Sequence, residues 1–345
     1  MSDLEHEVTL DEEVAFLRTP SSYPDAPRSV EVRETRLSWV FLTDCFAYKL
    51  KKPLAGRYFD FSTTALRRAN CEAEVRLNAR LAPGIYLGIL PLVRNTEGRL
   101  QLGGEGEPVD WLVRIYRLPA GCLLDAAIRD GTLRRTEIEA VAGRLAEFYA
   151  AAEPVPLAEH DYLARFTEEQ TETRQVLCQP AFGFADAEVE AVLGPVDALL
   201  RDQAGLLVSR LTAGRIVEGH GDLRPEHIYL GDPPAAIDCL EFSRRLRLLD
   251  PFEELAFLGM ECSALGVTWI GPLLIGRCAA RLCDPVPDQL VAFYTAFRAA
   301  MRSRQAVTHL ADPARREAAK WLPLARRYLE VGTQAAVRLG APSPL

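Results

Sequence analysis

The sequence predicts an α+β protein of two lobes, a small antiparallel sheet with one helix followed by a larger, mainly helical region. Three observations predict it. Between Val30 and Leu118, short runs of β-branched and aromatic residues alternate with turn residues. Past Leu118-Pro119 the apolar residues recur at helical spacing. The length, 345 residues, sets a prior of about two domains. A composition of 48% hydrophobic and 26% charged residues excludes the fibrous and disordered classes.

The first 28 residues carry one helix signal, the capping box Thr9-x-x-Glu12 ahead of Val14 and Leu17, then the Pro-rich stretch TPSSYPDAP. They read as an N-terminal extension. Three strands are expected next, at Val30 and Val32, at Trp39 to Leu42 and at Phe46 to Leu50, with Pro53 ending the last. A helix follows whose stripe is Leu66, Ala73, Leu77 and Leu81, stopped by Pro83-Gly84. Ile85 to Val93 and Trp111 to Leu118 complete a five-stranded sheet, so that residues 29–118 form the first lobe.

The second lobe, residues 119–345, has its clearest helix start at the box Thr136-x-x-Glu139, with Ile138, Val141, Ala142, Leu145, Phe148 and Tyr149 inward. Further helices are expected near 158–178, 187–205, 250–266, 286–303 and 313–338. One β-rich island, Ile216 to Phe242, interrupts them.

The net charge of -8 argues against a nucleic-acid partner bound through a global basic surface. Locally the sign reverses: from Phe46 to Arg80, eight basic residues against three acidic ones leave +5, a stretch suited to phosphates. The eight cysteines form no C-x-x-C pair and the acidic N-terminus lacks a signal peptide, so a cytoplasmic location is expected. The longest charge-free apolar run, Cys262 to Gly276, is 15 residues and too short to span a bilayer, so no membrane partner is expected.

The island reads VEGHGDLRPEHIYLGDPPAAIDCLEF and concentrates polar side chains around two short apolar runs. Asp222 precedes the first run and Asp238 ends the second, which suits general-base and metal-ligand chemistry. His220-Gly221-Asp222-Leu223, His227, Ile237-Asp238 and Asp250-Pro251-x-x-Glu254-Leu255-Ala256 follow one another over 37 residues. This series resembles the aminoglycoside phosphotransferase family, whose pattern is H-G-D-x-x-x-x-N, I-D and D-P-x-x-D-L-A. SWVFLTDCFAYKLKKP, FDFSTT and CEAEVRLNARLAP are similar to an uncharacterised bacterial branch of it.

The resemblance implies a bilobal protein-kinase-like fold over residues 29 to 340 and a metal-dependent phosphotransferase. Such an enzyme moves the γ-phosphoryl of ATP or GTP, with Mg2+ or Mn2+, to a hydroxyl of a small-molecule acceptor. It implies that Lys49 holds the α and β phosphates and that Glu74 pairs with it; Lys51, on the same strand face, is the alternative. Tyr116 to Pro119, including Leu118, would be the hinge for the base, Asp222 the residue that orients the acceptor hydroxyl or accepts its proton, and Asp238 the metal ligand.

His220 is expected to hold the loop and Asp250 to cap a helix. His227, where the family has Asn, is either a second metal ligand or a packed histidine, and Glu254 stands at a structural position. The glycine-free turn Glu34 to Trp39 departs from a phosphate-cradling loop, leaving Arg36 or Ser38 to contact phosphates. No G-x-x-x-x-G-K-[ST] occurs, so the second ATPase domain of some members is expected to be absent. Two other readings compete: a catalytically impaired nucleotide-binding regulator, and a metal-dependent hydrolase built on His220, Asp222, His227 and Asp238. Acceptor, ATP against GTP, and oligomeric state are not legible.

Overall fold

The computed structural model describes residues 8–311 and 318–339. In chain order the strands are β1 (Glu31–Glu34), β2 (Ser38–Leu42), β3 (Phe46–Lys51), β4 (Ala55–Gly56), β5 (Phe59–Asp60), β6 (Tyr86–Arg94), β7 (Leu100–Leu102), β8 (Glu107–Tyr116), β9 (Val217–Glu218), β10 (Ile228–Tyr229), β11 (Ala235–Ala236) and β12 (Leu248–Leu249). The helices are α1 (Leu10–Leu17), α2 (Thr64–Asn78), α3 (Leu124–Arg129), α4 (Arg135–Ala151), α5 (Glu159–Leu177), α6 (Asp186–Asp202), α7 (Gly205–Thr212), α8 (Arg244–Arg247), α9 (Pro251–Ala264), α10 (Ile270–Leu282), α11 (Asp288–Thr308) and α12 (Ala318–Leu339). Two compact units result. One runs to Cys122 and takes in Ala235–Arg245; the other is Leu123–Pro234 with the chain from Leu246 onward. The Asp238 segment thus belongs with the first unit.

The first unit is built on an antiparallel sheet in the order β1-β2-β3-β8-β6-β7. It has six strands rather than the expected five, because β7 is only three residues long and pairs back on β6 with Leu92 opposite Leu102. Alternation puts Phe41, Tyr48, Leu50, Leu92 and Leu112 on one face, where they pack against Val14 and Leu17 of α1 and against Tyr23. The segment expected as an extension therefore covers a sheet face. Its capping box forms as read: Thr9 accepts from the Glu12 amide, and the Glu12 carboxylate accepts from the Thr9 amide at 2.8 Å.

α2 corrects the expected stripe. Leu66 is 40% exposed, whereas Arg67, Cys71, Glu74, Leu77 and Asn78 face inward. Burying these polar groups is tolerable only where each finds a partner, and Arg67 grips both oxygens of Asp110 at 2.9 and 2.8 Å. Glu13 joins this pair from α1. Desolvation, and then the Asp110 charge, push its pKa up to about 8, so Glu13 keeps a proton that it shares with Asp110.

The sign of the pH dependence follows. Between the unfolded value near 4.5 and about 8 the folded chain holds a proton the unfolded chain has lost, so stability falls as pH rises. The slope is at most about 1.4 kcal/mol per pH unit. Glu13→Gln, which mimics the protonated acid, is expected to flatten the decline in melting temperature between pH 5 and pH 8 (roughly that window). An unchanged decline would remove Glu13 from the explanation.

In the second unit α9 is buried from Pro251 through Cys262. Asp250 caps it, accepting from the Phe252 amide at 2.9 Å and pairing with Arg210 at 2.6 Å. α9 and α10 approach so closely that a Cβ on Gly259 would stand 2.6 Å from the Gly271 Cα. The apolar run Cys262 to Gly276 is divided between the end of α9 and the first half of α10. α4 begins at Arg135, two residues earlier than expected, because Glu137 rather than Glu139 reaches back to the chain at Arg134. The first residues of the helix expected at 313–338 lie outside the described residues. Among the described residues no helix is long and apolar enough to cross a membrane.

Candidate functional site

In the first unit, strand alternation sends Lys49 and Lys51 to the face opposite Tyr48 and Leu50, toward α2. The two ammoniums straddle one carboxylate. Lys49 Nζ lies 2.9 Å from Glu74 Oε1, and Lys51 Nζ lies 2.6 Å from Glu74 Oε2. Each lysine has a second acid from the 235–245 segment: Asp238 Oδ1 is 2.7 Å from Lys49, and Glu241 Oε1 is 2.5 Å from Lys51.

The ionisation states follow from this ladder. Burial works against the charge on Lys49, but Asp238, Glu74 and Glu241 outweigh it and hold the ammonium well above the ordinary lysine range. Glu74, fully buried, would be neutralised by desolvation alone; Lys49 and Lys51 hold it below the usual carboxylate range. Lys49, Lys51 and Glu74 thus stay charged.

Asp238 is fixed through its backbone. It sits at φ +58°, a left-handed conformation that Asp tolerates better than most residues. Its amide donates to the Tyr86 hydroxyl at 2.9 Å, and the next amide, of Cys239, donates to Asn78 Oδ1 at 2.9 Å. Asn78 in turn donates to the Glu74 carbonyl at 2.9 Å. The side chain of Asp238 remains 44% exposed while Lys49 is 15% exposed and Lys51 is 1% exposed.

At the end of β8 the amides of Tyr116 and Arg117 donate to the carbonyls of Ile85 and Cys45, both at 2.9 Å. The Tyr116 ring stacks on Phe46, on the sheet face away from Lys49. Leu118 is half-buried beyond the strand end. The β1–β2 turn is pinned by Thr35, whose hydroxyl donates to the Ser38 carbonyl and accepts from the Ser38 amide, both at 2.9 Å. Ser38 is buried and Arg36 exposed.

In the second unit Asp222 sits in a loop braced from below. Glu254 accepts from the amides of His220 at 3.0 Å and of Gly221, and from the Tyr149 hydroxyl at 2.7 Å. The buried His220 accepts the Asp222 amide on Nδ1 at 3.3 Å. Gly219 admits no side chain, since a Cβ there would meet the Glu254 carboxylate at 2.7 Å.

Both ring nitrogens of His227 are engaged. Nδ1 lies 2.7 Å from the Asp222 carbonyl, which can only accept, so Nδ1 carries the proton. The lone pair on Nε2 then faces Arg224 Nη2 at 3.2 Å. A metal would need that lone pair; in this arrangement both ring nitrogens hold the loop. Among the described residues, no three His, Cys, Asp or Glu side chains gather into a group that could hold a metal ion.

Arg224 Nη2 lies 2.9 Å from Asp222 Oδ2. Burial alone would raise the Asp222 pKa; the guanidiniums of Arg224 and then Arg302 prevail and hold it below the ordinary carboxylate range. It is a fixed anion, better suited to orienting a hydroxyl than to storing its proton.

Sequence reasoning did not find Asn78, Tyr86, Arg224 or Glu241. The i, i+4 spacing of Glu74 and Asn78 and the acid three residues past Asp238 were the available signals.

No family model matches the sequence. Uncharacterised proteins of Mycobacterium bovis and Mycobacterium tuberculosis are 32% identical over 313 residues, taking in 88% of this chain. The chain spans 60% of the length of these relatives. Among solved structures, a choline/ethanolamine kinase family protein from Mesorhizobium loti superposes with a TM-score of 0.52 at 15% identity, covering 96% of this chain and 99% of that one. The GDP complex of wild-type aminoglycoside 2'-phosphotransferase-IIIa gives 0.52 at 14% identity over 93% and 98%. A thermostable mutant of aminoglycoside phosphotransferase APH(4)-Ia, in ternary complex with AMP-PNP and hygromycin B, gives 0.54 at 13% over 95% and 98%. With its antiparallel sheet unit and helical unit, the chain has the protein-kinase-like fold of the aminoglycoside phosphotransferases and choline kinases.

Proposed function

We propose that the protein transfers the γ-phosphoryl group of ATP or GTP to a hydroxyl of a small molecule. The observation that carries this reading is the Lys49 ammonium held between Glu74 and the partly exposed Asp238. Phosphoryl transfer asks a protein mainly for positioning and charge neutralisation. Lys49 binds the α and β phosphates, Glu74 orients Lys49, and the Leu118 amide serves the base, since the amides of Tyr116 and Arg117 are already spent on the sheet. Asp222 orients the acceptor hydroxyl.

Magnesium commonly takes one or two carboxylates and completes its shell with water and substrate phosphate oxygens. Asp238 fits that demand by its oxygen donors and exposure, and Mn2+ fits the same donors. When bound, the metal would neutralise phosphate charge.

The experiment is a thermal-shift panel with ATP and GTP, each with Mg2+, Mn2+ or neither. Selective binding raises the melting temperature by mass action, about 2.7 kcal/mol of stabilisation at a hundredfold excess over Kd. No shift with either nucleotide would refute the proposal. A second reading, a nucleotide-binding regulator with little turnover, is favoured by the commitment of both His227 nitrogens to the loop. Binding without transfer, across a screen of hydroxylated acceptors including choline and hygromycin B, would select it.

A further inference from the structure

Lys49 and Lys51 form two rungs between the same three pieces of chain: β3, α2 and the 235–245 segment. The rungs differ in burial. The outer one, Lys49 with Glu74 and Asp238, has an acid that is 44% exposed. The inner one, Lys51 with Glu74 and Glu241, is 1% exposed at the lysine and 8% at Glu241. The Lys51 ammonium also lies 5.4 Å from the centre of the Phe61 ring, which shields it further.

We propose that Lys51 and Glu241 are positioning residues for phosphoryl transfer, a permanent ion pair that keeps Glu74 and Asp238 in place while the outer contacts exchange for ligand. The inference rests on the phosphotransferase reading. If Lys49 turns toward phosphates and Asp238 toward a cation, their mutual 2.7 Å contact must lengthen. Glu74 is fully buried and would then depend on a lysine that is partly committed elsewhere.

A buried carboxylate that loses its partner is strongly penalised. Lys51, 2.6 Å from its second oxygen, keeps Glu74 compensated throughout. Glu241 does the same for the segment: it stays bound to β3 three residues past Asp238, so the carboxylate that meets the cation starts from one position. The arrangement also divides the work between the two lysines, the exposed one exchanging and the buried one holding.

The test compares wild type with Glu241→Gln, Lys51→Met and Lys51→Arg by calorimetric titration with ATP, with and without Mn2+. The quantity read is the gain in ATP affinity that the metal brings. Outer-shell partners of a metal ligand are worth about 10–100-fold in metal affinity. Glu241→Gln and Lys51→Met are therefore expected to cut that gain about tenfold or more, and Lys51→Arg, which keeps the charge, to restore part of it. Glu241→Gln preserves shape and carries the test alone if Lys51→Met does not fold. Variants that melt at a lower temperature but keep the full metal-dependent gain would assign the pair to stability only and overturn the proposal. Wild type that binds no nucleotide under either condition would overturn the functional reading along with it.

Discussion

Asp238→Asn is expected to fold and to lose the metal-dependent part of nucleotide binding, with phosphoryl transfer down by about 10²–10³-fold or more. The side chain is 44% exposed and the backbone is held separately by Tyr86 and Asn78, so the amide leaves the local chain intact. What changes is charge. An Asn oxygen is a weaker ligand for a hard cation than a carboxylate, and Lys49 loses its 2.7 Å counter-ion. Binding of ATP without metal should be weakened less, because Lys49 then has one acid fewer competing with phosphate for its donors. Titrating ATP with and without Mg2+ measures both terms, and a variant that retains the wild-type response to metal would remove Asp238 from the proposed role.

Asp222→Ala is expected to show the opposite separation, with nucleotide affinity near wild type and transfer to any acceptor abolished. Its loop keeps contacts that do not use the carboxylate: the amide of Asp222 rests on His220 and its carbonyl on His227, and Arg224, which loses Asp222, keeps Glu226 and His227. Glu254 holds the preceding turn. Loss of the side chain therefore leaves the frame standing and removes the group that orients the hydroxyl, which phosphoryl transfer cannot do without. Transfer is measured with radiolabelled γ-phosphate once an acceptor is identified, and before that as slow transfer to water. Turnover close to wild type would exclude the assigned role.

Much of the fold was legible because apolar periodicity and turn chemistry are local signals. The three-strand meander of Glu31–Lys51 shows it, and so does the Thr9 capping box. α2 forms where expected and Leu77 and Leu81 are buried as read, but much of its inward face is written in charge. The apolar stripe points to Leu66, yet the residues that turn inward include Arg67, Glu74 and Asn78, each answered by a partner from another element. A pattern search that assumes hydrophobic residues point inward cannot see a helix whose buried partners lie far away in sequence.

The same limit applied to the candidate site. Sequence alternation put Lys49 and Lys51 on one strand face but could not choose between them; the difference in burial, set by residues 238–241, separates their environments. His227 was ambiguous for a related reason. Whether an imidazole binds a cation depends on where its lone pair points, and here the two ring nitrogens face a carbonyl and a guanidinium within five residues. Sequence spacing alone does not carry ring orientation.

The return of Ala235–Arg245 to the first unit has a bearing on how the protein is made. When β3 and α2 leave the ribosome, Lys49 is still 189 residues from Asp238, and Lys51 is 190 from Glu241. Until then the nascent sheet must carry two cations against a lone Glu74, an imbalance that favours water over burial. The sheet face that carries Lys49 and Lys51 thus matures late in synthesis, through contacts of high sequence separation that form slowly. An amino-terminal fragment ending at the first unit's last contiguous residue would be released with that surface unfinished.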